Sequence, residues 1–357
     1  MAADQGMGGS SDGSSGRPKV FIVGTGRCGS TLLSKIVRLH PDLLSVSEFF
    51  SSIITRNFVA RALDGEAFWQ LITHVSPTVK IAATKENLPR EFLYEFGPNA
   101  RFTPADVPAM LHVTLPHLTD DPDALYDELE AVIRPRPYAP ISAQYNFLFS
   151  WLCDRFEKKM WVERSGASLM YLPSLVKHFP EAKFVHVIRD GRDVAMSVKD
   201  HVSIRMLAQT WWDTRLFGVD LMRPPFVIGT SRFLAFMEPF IGLIMKVENT
   251  PAQTIPLKQA AKFWSNLIEI GSATFETLPP EKRLLLSFED IVANPRRELE
   301  RLIDFIDPAL RNDAWLDAAA QIPEDRPSKW RTLPYKERVA LERACAPGLR
   351  RLGYAGV

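Results

Sequence analysis

Lys19-Val20-Phe21-Ile22-Val23-Gly24-Thr25-Gly26-Arg27-Cys28-Gly29-Ser30-Thr31-Leu32-Leu33 is the stretch whose reading decides the fold. Lys19–Gly24 is an apolar, β-branched run that stops at a glycine. Leu32, Leu33, Ile36 and Val37 then recur at helical spacing within Ser30–His40. Strand, glycine-rich loop and helix in that order predict an anion cradle. Glycines let the backbone approach closely, and the helix N-terminus presents free N–H groups. A plain Gly-rich connection is the competing reading. Two phosphate patterns fit the loop. Gly24, Gly26 and Gly29 satisfy GxGxxG, and Glu48 lies 19 residues past Gly29, as a dinucleotide site requires. Gly24 and Gly29 also satisfy the GxxxxG of a P-loop, but Ser30, followed by Thr31, stands where the lysine belongs. That lysine bridges the β- and γ-phosphates of a triphosphate. Its absence, with Arg27 inside the loop, points to a ligand without a γ-phosphate.

Working outward, the same rhythm repeats. Lys159–Arg164 (KMWVER), Lys183–Arg189 (KFVHVIR) and Arg283–Asp290 (RLLLSFED) read as further strands. A helix start follows the second at Asp193, and another follows the third, with Pro295 in its first turn and Leu299, Leu302, Ile303 and Ile306 on one face. Strands this apolar, separated by helices, predict an α/β fold with a parallel β-sheet flanked by helices on both sides. Two stretches interrupt it: 85–145, rich in proline, and 203–258, rich in proline and aromatics. Insertions of this kind sit above the strand C-termini, where open α/β sheets bind ligands. They predict an apolar acceptor pocket or lid, against a local core or an oligomer contact. Residues 1–17 read as a flexible tail, leaving 18–357 as a single domain.

Composition excludes several classes. The chain has 357 residues, 46% hydrophobic and 24% charged, with a net charge of +1. That balance argues against a nucleic-acid partner held by bulk charge while allowing a local basic pocket. Three cysteines at wide spacing fit neither a disulfide framework nor a zinc ribbon, and the histidines form no HExxH pair. A reducing, cytoplasmic location and no metal are expected. Pro225–Val247 is apolar enough to suggest a membrane span, but Arg232, Glu238 and Pro239 interrupt it, so a buried or pocket-lining segment is expected.

The second site is FVHVIRDGRDVAMS. Arg189 ends the strand, and Ser197 lies 8 residues beyond it in the following helix. A strand-terminal guanidinium and a helix hydroxyl can converge on one dianion. A salt-bridged turn made by Arg189, Asp190, Arg192 and Asp193 is the alternative. Two phosphate grips on one sheet suit a nucleotide phosphorylated at both ends.

At this point the residues resemble the sulfotransferase family that uses 3′-phosphoadenosine 5′-phosphosulfate (PAPS). GTGRCGSTLL is similar to its 5′-phosphosulfate loop and IRDGRDVAMS to its 3′-phosphate motif. LLLSFEDIVANPRREL resembles its "YEDL…P" segment, and SKWRTLP…APGLRRLGY the C-terminal segment of bacterial and tyrosylprotein-type members. The resemblance covers about half the chain and implies the P-loop-like sulfotransferase fold. It also implies in-line sulfuryl transfer from PAPS as co-substrate to a hydroxyl or amine, with no metal. Arg27 and the backbone of Cys28, Gly29, Ser30 and Thr31 would hold the 5′-phosphosulfate; Arg189 and Ser197 would hold the 3′-phosphate. Glu48 matches the glutamate base of tyrosylprotein-type members, against a helix-capping or exposed glutamate. Arg164 stands at their transition-state lysine, against an ion pair with Glu163. Lys329 would contact the nucleotide phosphates, against a surface lysine. Phe288 stands where the family often has tyrosine and would keep a ring near the adenine. Cys28 reads as a packed thiol.

The aromatic insertion makes the expected acceptor a partly apolar small molecule or lipid-like compound, with no membrane span. A P-loop-type small-molecule kinase and a nucleotide-binding module without turnover are the alternatives. The acceptor itself and the oligomeric state are not legible.

Overall fold

The main sheet follows from five short runs of apolar residues. In this computed structural model, which describes residues 17–77, 92–245, 254–325 and 327–354, they form β1 (Lys19–Val23), β2 (Leu43–Ser47), β5 (Met160–Arg164), β6 (Lys183–Ile188) and β7 (Arg283–Ser287). The strands run in the order β2-β5-β1-β6-β7, and every pairing is parallel. A separate antiparallel bridge joins β3 (Ala62–Leu63) to β4 (Ala139–Pro140).

Side-chain alternation divides the sheet into two buried faces. Val20, Ile22, Val162, Val185, Val187 and Leu286 pack with Leu33, Ile36 and Val37 of α1 (Ser30–Arg38) and with Leu299, Leu302 and Ile303 of the helix Pro295–Ile306. On the other face Phe21, Val23, Val46, Trp161 and Phe184 meet a second, larger core of helices. Each fully buried Val, Ile or Phe here contributes roughly 1.5–3 kcal/mol relative to exposure. Burial on both faces is why these strands lack the polar alternation of a one-sided sheet.

Register sets the functional edge. Ile22 of β1 and Ser47 of β2 both lie opposite Arg164 of β5, and Ile188 of β6 lies opposite Ser287 of β7. The strands therefore end along one carboxyl rim. From β1 the chain crosses through α1 to the far edge strand β2, while β6 lies on the other side of β1. That reversal makes the crevice where open parallel sheets bind ligands.

Several expectations shift. β2 was not expected from the sequence, and Glu48 follows a strand rather than the first helix. The helix of the second motif begins at Gly191 with Asp190 as its N-cap, earlier than Asp193, which places Ser197 near its C-terminal end. Phe288 opens a helix (Phe288–Ala293) instead of continuing β7. Much of the first insertion is helical, with Ala109–His112, Thr114–Leu118 and Pro122–Ile133; its residues 85–91 lie outside the described residues. The tail expected at 1–17 lies outside them too, apart from Arg17. Among the described residues no helix is long and apolar enough to cross a membrane.

Candidate active site

Five candidate elements meet because each stands at, or just past, the end of a parallel strand. The loop from Gly24 to Gly29 follows β1, Glu48 follows β2, Arg164 closes β5, Arg189 follows β6 and Phe288 follows β7.

The loop enters α1 through Gly29, whose φ of 94° lies in the left-handed region that favours glycine. A Cβ there would lie 2.3 Å from the Phe288 ring, so the position has no room for one. No side chain caps α1, which leaves its first-turn N–H groups available to an anion. Ser30 is buried and Thr31 exposed on that turn, while Cys28 packs into the core below the loop, as a small buried thiol would.

The two expected phosphate grips adjoin. Arg27 Nε donates to Ser197 Oγ at 3.0 Å, across the space between loop and helix. The Phe288 ring that covers Gly29 also carries the Arg189 guanidinium, 4.4 Å from its centroid. Arg189 is half-buried and forms no ion pair among the described residues. The salt-bridged turn is real but omits it. Arg192 pairs with Asp190 and Glu342 and stacks on Trp330 at 3.9 Å, while Asp193 accepts from Ser328 Oγ and from the main-chain N–H of Lys329. Lys329 is therefore anchored beside the second motif through its backbone, with its side chain exposed. Gly191 is glycine for contact rather than for φ: a Cβ would lie 2.2 Å from the Trp264 ring.

On the β2–β5 side, Glu48 is the N-cap of the short helix α2 (Phe49–Ser52), with φ 57°. Such a φ is uncommon for a residue other than glycine and worth relating to function. Its Oε1 pairs with Arg164 Nη1; its Oε2 accepts from Ser51 Oγ and, at 2.9 Å, from the Gly166 N–H. Arg164 is buried, and its Nη2 donates to Ser47 Oγ at 3.0 Å. The expected ion-pair rival, Glu163, instead points to the opposite face. There it is 1% exposed and held by the Ser165 hydroxyl and the Phe50 N–H. Burial pushes its carboxyl up to about 8, against the smaller opposing pull of those hydrogen bonds.

A cavity of about 340 Å³ joins the loop after β1 to the β2–β5 side; Arg189, Ser197, Phe288 and Lys329 do not line it. Gly26, Arg27, Ser30 and Thr31 line one end, Glu48, Ser51 and Arg164 the middle, and Phe92, Ile204, Leu207, Leu221, Ile228 and Leu234 the apolar wall. The second insertion thus builds the pocket with aliphatic side chains. Its phenylalanines do not take part as expected: Phe233, Phe236 and Phe240 are exposed on the helix Arg232–Met245. The run Pro225–Val247 is accordingly part pocket wall and part surface, and its last two residues lie outside the described residues.

Sequence reasoning missed Ser51 and Gly166. Ser51 could have been found as a hydroxyl one helical turn after Glu48; Gly166 comes from a distant strand and leaves no local signal. It also missed a polar cluster in which the buried Glu238 is held by the half-buried His74 and Ser76, all three lining the cavity, and by Arg56 behind them.

Comparison with known proteins follows the same line. Solved structures similar in fold include the sulfotransferase domain from the Synechococcus PCC 7002 olefin synthase. It is 16% identical, with 96% of each chain covered and a TM-score of 0.47. The sulfotransferase domain from the curacin biosynthetic pathway is 17% identical, with 95% of this chain and 98% of that one covered and a TM-score of 0.46. Sulfotransferase STF9 from Mycobacterium avium is 14% identical, with 94% and 76% covered and a TM-score of 0.41. Among curated proteins none matches the sequence. The profile of the sulfotransferase family matches residues 18–224, more than half of the chain and the whole span from β1 through the second phosphate motif, so the chain belongs to the sulfotransferase family and is an enzyme of sulfuryl transfer.

Proposed function

We propose that this enzyme moves the sulfuryl group of 3′-phosphoadenosine 5′-phosphosulfate to a hydroxyl or amine of a partly apolar small-molecule or lipid-like acceptor, with Glu48 as the general base. The observation that carries this reading is the single cavity running from the loop Gly26–Thr31 past Glu48 and Arg164 to an aliphatic wall. Arg189, half-buried without a carboxylate, supports a grip on the 3′-phosphate with Ser197. Arg27 already reaches Ser197, so donor binding would exchange that hydrogen bond for contacts to phosphate oxygens. The first turn of α1, with Arg27, would hold the 5′-phosphosulfate, and the Phe288 ring would offer its edge to the base. Lys329 stands near the second motif as a further phosphate contact.

Sulfuryl transfer, like phosphoryl transfer, depends on positioning and charge stabilisation more than on covalent work by the protein. Arg164 would steady the charge on the transferring group. A carboxylate offers about four acceptor directions, and the three donors to Glu48 leave one free on Oε1. An acceptor hydroxyl can donate there while its oxygen attacks sulfur in line, giving its proton to Glu48 as the S–O bond to the 5′-phosphate breaks.

Two measurements test this. Adenosine 3′,5′-bisphosphate without Mg²⁺ should raise the unfolding temperature, whereas protection by Mg-ATP alone would indicate a kinase instead. PAPS consumption with a cell extract as acceptor source should yield a product heavier by one sulfuryl group; bisphosphate binding without any such product would indicate a module that only binds nucleotide.

A further inference from the structure

Apart from Glu48, one carboxylate lines the cavity among the described residues. Glu238, 2% exposed on the helix Arg232–Met245, lines the cavity together with His74 and Ser76. Its Oε1 accepts from Ser76 Oγ at 2.8 Å, and its Oε2 from Arg56 Nε at 3.2 Å and His74 Nε2 at 3.3 Å. Burial alone would push this carboxyl up, but the hydrogen bonds from His74 and Ser76 and the charges of His74 and Arg56 outweigh it and hold the group below the usual range. Removing a carboxylate from water is costly even when it is paired, and an aliphatic side chain would complete the wall at less cost. Among the described residues no hydrogen bond joins Glu238 to the loop Gly26–Thr31 or to Glu48. With three donors present, Glu238 keeps acceptor capacity facing the cavity. The acceptor site left on Glu238 needs a donor, so the complementary ligand group is a hydroxyl.

We infer that the Glu238–Ser76–His74–Arg56 cluster is an acceptor subsite that binds a second hydroxyl of the substrate, remote from the one that is sulfated. The acceptor is then an elongated apolar molecule with a hydroxyl at each end. This deepens the sulfotransfer reading and relies on it for what happens at Glu48, but its test does not. Binding of 1-octanol and octane-1,8-diol is measured by calorimetry on the whole protein without nucleotide. The diol is expected to bind about tenfold tighter than the alkanol, because a hydrogen bond to a buried charged group outweighs the cost of desolvating one hydroxyl. In Glu238→Gln the advantage of the diol should shrink to within about threefold, whereas in Ser76→Ala, which frees a further acceptor site on Glu238, it should persist.

If the cluster only ties the helix to residues 56–76, exchanging methyl for hydroxyl weakens binding, and the alkanol wins in every form of the protein. That result, or binding of neither compound, overturns the subsite without recourse to either variant. If the diol is preferred yet no sulfuryl group is transferred to it from PAPS, the subsite stands and the reading of the reacting end fails.

Discussion

The rim of the sheet and the wall of the second insertion border the same cavity but are built on opposite principles. At the rim the polar groups are fixed by strand ends and the loops after them: Ser47 lies opposite Arg164 across β2 and β5, with Glu48 next along the chain, and Ile188 lies opposite Ser287 across β6 and β7, with Arg189 and Phe288 next. The wall is made of helices and turns whose aliphatic side chains fill space, with one buried carboxylate among them. A rigid rim suits chemistry that depends on alignment, since misplacement of about 1 Å can cost a hundredfold in rate. An apolar wall suits recognition of a shape and can vary without disturbing the rim. Changes at the rim should therefore alter turnover or donor affinity, and changes at the wall should alter acceptor affinity.

The hardest test of that division is Glu48→Gln. It should lower kcat by about a hundredfold or more while adenosine 3′,5′-bisphosphate binds as before, because only proton acceptance is lost. Unchanged turnover would remove Glu48 from the chemistry and break the comparison at its centre. Next comes Arg189→Ala, expected to weaken bisphosphate binding about ten- to a hundredfold with kcat at saturating donor little changed, since a charge-assisted contact remote from sulfur is removed. A large fall in kcat instead would move Arg189 into the reacting group's surroundings. Leu234→Ala sharpens the other side: acceptor KM should rise about tenfold, with donor affinity intact, for the loss of buried apolar contact.

The smallest effect concerns stability. The folded protein keeps a proton on Glu163 up to about pH 8, whereas the unfolded chain releases it near 4.5. The stabilisation from this group is full below 4.5 and is lost as pH rises through about 8. Glu163→Gln should flatten the decline in unfolding temperature across that window and leave a rim geometry able to bind bisphosphate. An unchanged slope would show that the buried carboxyl does not hold its proton.

Reading the rim from sequence worked where the signal is local. A β-branched run, glycines and an amphipathic helix stand side by side at 19–38, and an arginine closing a strand with a serine a few residues on stands at 189–197. β2 escaped because Leu43–Ser47 mixes two serines with three apolar residues, and those serines are buried by tertiary neighbours: Ser45 by Ser34 and His117, Ser47 by Arg164. Arg164 was paired with Glu163 in sequence terms by adjacency. Consecutive strand residues face opposite sides of a sheet, so its real partner had to come from another strand. The phenylalanines of the second insertion misled in the same way, since composition does not say which face of a helix a ring occupies.

The amino-acid sequence by itself determined the alternation of buried strands with helices and the two strand–turn–helix junctions after β1 and β6, because both are written in residues close enough to interact along the chain. Which carboxylate meets which arginine, and that a second carboxylate stands buried in the acceptor wall, were decided only by the tertiary structure. Those pairings join residues 116 and 182 positions apart, and their existence depends on strand order and helix packing rather than on any local preference.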